Sequence, residues 1–205
     1  ATGASAVVLN VAVTGPTATG YLTVFPMGEP VPLASNLNFA AGDTVPNLVT
    51  AKLGAGGSVQ LYNAMGSTHV IVDVAGWYDD GTSATGATYH PVTPSRILDT
   101  RDGTGPLGAA AVMEVQVAGR AGVPASGVSA VVTNVAVTGP TAMSFLTAFP
   151  AGEALPLASN LNFRPGQTVP NLVVAKQGAG GRMAIYNAAG TTHVIADVAG
   201  WFDLG

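Results

Sequence analysis

The sequence predicts an all-β protein built from two tandem antiparallel β-sandwich modules, jelly-roll-like and related by internal duplication. Three observations predict it. Residues 5–79 recur as 129–203 at an offset of 124 without a gap, with 54 of 75 positions identical. Runs rich in Val, Thr, Ile and aromatic residues, which a pleated and half-buried surface prefers, start about 10 to 14 residues apart between turn-forming residues. No segment carries the 3.6-residue apolar period of an amphipathic helix.

In the first copy, Ala6–Val13 is a Val-rich run stopped by Gly15-Pro16, and Tyr21–Phe25 is stopped by Pro26 and Gly28. Leu33–Phe39 is read as a third strand. Its SNLNF stretch alternates, setting Asn36 and Asn38 on one face and Leu37 and Phe39 on the other. Thr44–Leu53 starts after Ala41-Gly42 and ends at the Gly54–Gly57 cluster. Ser58–Tyr62 and Thr68–Trp77 complete six strands, which the second copy repeats.

Between the copies lies a segment that occurs once. Residues 80–88 are polar and rich in Gly, Ser and Thr, as in a linker. After them, Ser95–Thr100 and Val112–Ala118 read as two further strands. The expected organisation is an N-terminal module at 1–79, a linker at 80–88 and a complete eight-stranded sandwich at 89–205. The N-terminal module then lacks two strands, which predicts either an open sheet edge or strands borrowed from a neighbour.

Composition narrows the function. With 48% hydrophobic residues and a net charge of −4, disorder is excluded. Seven Lys+Arg cannot build the basic footprint of a nucleic-acid binder. The absence of cysteine removes disulfides and thiolate metal or redox sites. Every apolar run is interrupted well before the ~18 residues of a membrane-spanning helix.

Chemical motifs are sparse. Gly103–Gly108 matches GxGxxG, but Pro106 sits inside it and VMEVQV alternates like a strand, so it reads as a glycine-rich turn. His69/Asp73 and their copies His193/Asp197 each share one strand face about 13 Å apart, too far for direct contact. A hydrogen-bonded structural histidine is expected there. Arg96, Asp99, Arg101 and Asp102 concentrate charge in a charge-poor chain, as an ion-pair network around a turn would; Ca²⁺ at Asp99/Asp102 is the sharper reading.

The regularly placed asparagines have two readings. Asn36 and Asn38, with Asn160 and Asn162, could face a glycan beside Trp77 and Trp201 or Tyr62 and Tyr186; alternatively the amides satisfy backbone groups and the tryptophans plug the core. Lys52 and Lys176, the sole lysines, stand at equivalent positions. A buried lysine beside an acid such as Asp73 or Asp197 could form an isopeptide cross-link to an asparagine. A surface lysine copied by the duplication is the plainer reading. No catalytic residue, cofactor site or metal site is assigned.

PSRILDTRDGTG, AVVTNVAV, SNLNF, VPNLV and THVIADVAGWF together resemble a repeated module of secreted and cell-surface proteins of actinobacteria. The resemblance covers nearly the whole chain. It implies an extracellular location and a tandem architecture, and it carries no catalytic role. The expectation is a structural or adhesive repeat that self-associates or meets neighbouring repeats, the alternative being a carbohydrate-binding module that anchors a secreted hydrolase or the cell wall.

Overall fold

A computed structural model of the chain describes residues 3–81 and 86–204. The chain divides into two compact units, Ala1–Thr85 and Gly86–Gly205. Both are all-β, and all strand pairs are antiparallel. Of the linker expected at 80–88, residues 82–85 lie outside the described residues.

Unit 1 has strands β1 (Ala4–Thr14), β2 (Gly20–Pro26), β3 (Leu37–Phe39), β4 (Thr44–Lys52), β5 (Val59–Asn63) and β6 (His69–Asp79). They form two three-stranded sheets, ordered β4-β1-β6 and β3-β2-β5. Unit 2 opens with β7 (Tyr89–Asp99) and β8 (Ala111–Gln116), then repeats the six as β9 (Val128–Thr138), β10 (Ser144–Pro150), β11 (Leu161–Phe163), β12 (Thr168–Lys176), β13 (Arg182–Asn187) and β14 (His193–Asp203). Its sheets run β12-β9-β14-β7 and β11-β10-β13-β8. Numbered from one within the unit, these orders are 6-3-8-1 and 5-4-7-2, the connectivity of a jelly roll.

The unique segment therefore adds one edge strand to each sheet. β7 pairs along β14 and β8 along β13. β7 starts at Tyr89, earlier than the expected Ser95, although it contains Pro91 and Pro94. An edge strand tolerates prolines, because its outer N–H groups have no ladder partner. Register shifts where it passes Val198 to Gly200 accommodate the irregularity.

The third expected strand is shorter than its sequence suggests. Only Leu37–Phe39 is extended, not Leu33–Phe39. Pro30 and Pro32 precede it, Ala34 N–H donates to the Pro32 carbonyl, and Leu33 is fully exposed. Residues 151–160 repeat the same loop in unit 2, with Leu157 equally exposed. Gly54 closes the loop that follows β4: a side chain there would collide with the Met27 backbone, and Gly178 stands in the same relation to Ala151.

Burial separates the two units. The core of unit 2 includes Ile97, Leu107, Val115, Val117 and Val123 from the unique segment, packed with Val194, Ala196, Val198 and Ile185. Unit 1 has the matching inward residues on β6 and β5 and no counterpart of β7 or β8 among its described residues. Val74 is 70% exposed where Val198 is 0%, and Leu61 is 42% exposed where Ile185 is 0%. Full burial of such a side chain contributes about 1.5–3 kcal/mol. Unit 1 forgoes that gain along one entire side.

Candidate functional site

Of the polar residues singled out in the sequence, His193 and Asp197 on β14 and Arg96 and Asp99 on β7 come together. Arg96 bridges two carboxylates, donating from Nε to Asp197 at 2.8 Å and from Nη1 to Asp99 at 3.0 Å. Arg101 donates to both Asp99 oxygens, at 2.8 and 2.6 Å. Asp99 is thereby held well below the usual carboxylate range, first through the Arg101 hydrogen bond and then against the opposing cost of desolvation. Both guanidinium groups are shifted upward by their carboxylate partners.

The ion-pair network suggested by the sequence thus joins Arg96, Asp99 and Arg101, with Asp197 as a further member. Ca²⁺ at Asp99/Asp102 is not supported, since guanidinium donors already take both Asp99 oxygens. Among the described residues, no three His, Asp or Glu side chains converge as a metal site would require. Gly103–Gly108 forms a turn, in which Gly105 N–H donates to the Thr100 carbonyl and Leu107 bridges Thr192.

His193 and Asp197 lie on the same strand without touching, and each is held by the strand alongside. Thr100, fully buried, places its hydroxyl 3.1 Å from His193 Nδ1 and accepts from the Val194 N–H at 2.9 Å. His193 is thus a structural histidine at a strand end. At the other end of β14, His90 lies 3.0 Å from the Asp203 carboxylate and stacks on Trp201 with centroids 4.1 Å apart. The Tyr89 hydroxyl donates to the Ala199 carbonyl. Sequence reading missed Thr100, His90 and Tyr89, because their partners lie 93 to 113 residues away.

Asn36, Asn47, Asn160 and Asn171 serve the backbone. Asn36 Oδ1 accepts from the Val24 N–H at 2.7 Å, and Asn47 donates to the Asn36 carbonyl at 2.7 Å. Asn160 and Asn171 repeat this geometry with Ala148. Asn38 and Asn162 donate to Ser35 and Ser159. These amides pin the loop before β3 and β11 against β4 and β12. Trp77 is on β6 of the β4-β1-β6 sheet, whereas Asn38 is on β3 of the other sheet, so the structure does not bring the two together on one sheet.

The tryptophans diverge. Trp201 packs partly buried against the core of unit 2, as a plug would, whereas Trp77 is 54% exposed and plugs nothing. Tyr62 and Tyr186 sit in tilted contact with Tyr21 and Phe145. Lys52 and Lys176 are exposed at the ends of β4 and β12. Asp73 lies on β6, on the other side of β1. Neither lysine is buried beside an acid, as the isopeptide reading requires.

The remaining candidate is the side of unit 1 bounded by β6 and β5. It presents Val70, Val72, Val74 and Leu61 to the surface, with Trp77 and Tyr78 beyond them. No protein family, curated protein or solved structure matches the chain. Among the described residues, no helix is long and apolar enough to cross a membrane.

Proposed function

We propose that the chain is a non-enzymatic structural or adhesive repeat module of a secreted or cell-surface protein, which works by associating with neighbouring repeats. The observation that carries this reading is the exposed apolar side of unit 1, beside a tandem copy in which the same side is closed. Long, flat, apolar sheet edges are ordinarily blunted by charge, proline or cover. β6 has no lysine, arginine or proline along its length, and its charges are Asp73 and Asp79 alone. The extracellular placement rests on the resemblance of the PSRILDTRDGTG and THVIADVAGWF segments to actinobacterial surface modules.

Sedimentation velocity over a wide concentration range tests the reading. Concentration-dependent association that a charge on the edge (Val72→Asp) suppresses is the expected result. A strictly monomeric chain that also ignores other repeats would end it. A second reading, a carbohydrate-binding module, is favoured by one observation, the exposed Trp77 indole. Aromatic faces of this kind can stack on sugars. Retention on insoluble polysaccharide or peptidoglycan that Trp77→Ala abolishes would decide for it.

A further inference from the structure

We propose that the side of unit 1 bounded by β6 and β5 is an acceptor for a strand pair with the chemistry of residues 89–123, supplied from outside residues 1–205. The inference rests on reading the chain as a repeat module and names what the module takes up.

Unit 2 supplies the template. There the segment 89–123 lays β7 along β14 and β8 along β13, and its Ile97, Leu107, Val115, Val117 and Val123 complete the core. The surface that receives them is repeated in unit 1. Val70, Val74 and Leu61 occupy the positions of Val194, Val198 and Ile185, with Val72 in place of Ala196. All four are at least 39% exposed in unit 1 and fully buried in unit 2.

The polar contacts that fix the pair in register have their receiving residues in unit 1 as well. Asp73 stands where Asp197 receives Arg96, and Asp79 where Asp203 receives His90. Trp77 stands where Trp201 stacks on His90, and His69 where His193 meets Thr100. Asn63 stands where Asn187 donates to the Leu107 and Gly108 carbonyls. Asp73 and Asp79 on the edge therefore stand where Arg96 and His90 of such a pair would meet them. One contact has no equivalent: Ser58 replaces Arg182, which bridges to Glu114.

Gly76 gives the sharpest indication. Its counterpart Gly200 cannot carry a side chain, because a Cβ would run into the ring of Tyr89. At Gly76 a Cβ would meet nothing within 4 Å. Unit 1 thus keeps open the slot that a Tyr89-like ring fills in unit 2.

The donor is not the pair that unit 2 already holds. Residues 1–205 contain two such surfaces and one such pair, so passing it between copies opens one sandwich for each one it closes. A further pair of the same chemistry is required. Strand addition of this kind gains affinity from main-chain hydrogen bonds and specificity from alternate side chains.

The test uses the full chain with Trp201→Phe, which leaves Trp77 as its sole tryptophan, and a synthetic peptide of residues 89–123. Titration is expected to shift Trp77 emission to the blue, saturably. Gly76→Ala is expected to weaken binding at least tenfold while leaving the thermal transition of the peptide-free chain in place. A peptide with Ile97→Asp is expected to give no shift, a control that does not depend on folding of the variant chain. An unchanged emission, or equal affinity for the Gly76→Ala chain, overturns the proposal. A chain that assembles yet ignores the peptide refutes the donor alone; a chain that takes the peptide and never assembles refutes self-association alone.

Discussion

Tyr89 lies against Gly200 so closely that its ring occupies the space a side chain there would need, while its hydroxyl reaches the Ala199 carbonyl. The first strand of unit 2 is thereby anchored to the last by a contact that depends on the absence of one carbon atom. Gly200→Ala is expected to displace the ring and destabilise unit 2 by about 1–3 kcal/mol, as overpacking does. Denaturant unfolding of the variant beside Gly76→Ala checks it; equal costs at both positions would contradict the account.

Equivalent positions with different surroundings provide a second comparison. Ile185 is fully buried and Leu61 is 42% exposed, although the two occupy the same place in the repeat. Ile185→Ala should cost about 2–5 kcal/mol through lost transfer energy and a residual cavity. Leu61→Ala should cost under about 1 kcal/mol, since its side chain is already partly in water. Calorimetry that resolves the two units would read both.

Acid should loosen β7 through Asp99. Its folded pKa is depressed by Arg101, so the stability it contributes is present above the unfolded carboxylate value of about 3.9. That contribution is lost as pH falls from there through the folded pKa. Thermal melts of the native chain and of Asp99→Asn should therefore differ most at neutral pH and approach one another as pH falls below about 4. A gap that persists unchanged to pH 2 would argue that Asp99 acts through packing and not through charge.

Intact mass settles the lysines. With Lys52 and Lys176 exposed, the mass should equal that of the sequence. A deficit of one ammonia per bond would reinstate the cross-link.

The strands of both units follow from patterns the sequence displays openly: the 124-residue repeat and the turn residues between apolar runs. Of the two extra strands, β8 could be placed from VMEVQV, whereas β7 starts at Tyr89, ahead of the expected Ser95. Leu33–Asn36 misled because an apolar residue among prolines resembles a strand start, whereas the loop is held by Asn36 and Asn47 amides. The tryptophans were illegible for another reason. Trp77 and Trp201 share their local sequence, and their fates differ through His90, a residue 111 positions from Trp201 with which no local pattern connects it. The asparagines were readable as backbone partners, since short amides next to turns usually serve that purpose.

The pairing of β7 with β14 joins the two ends of its unit, as in the Tyr89 to Ala199 hydrogen bond across 110 residues. Such a topology has high contact order, and its loop-closure entropy must be met before the contacts that reward it form. On a ribosome adding ~5–20 residues per second, β7 emerges on the order of ten seconds before the strand it will pair with. During that interval Ile97 and its neighbours are in solvent, so the hydrophobic segment that completes the mature core is also the part of the nascent chain most in need of protection.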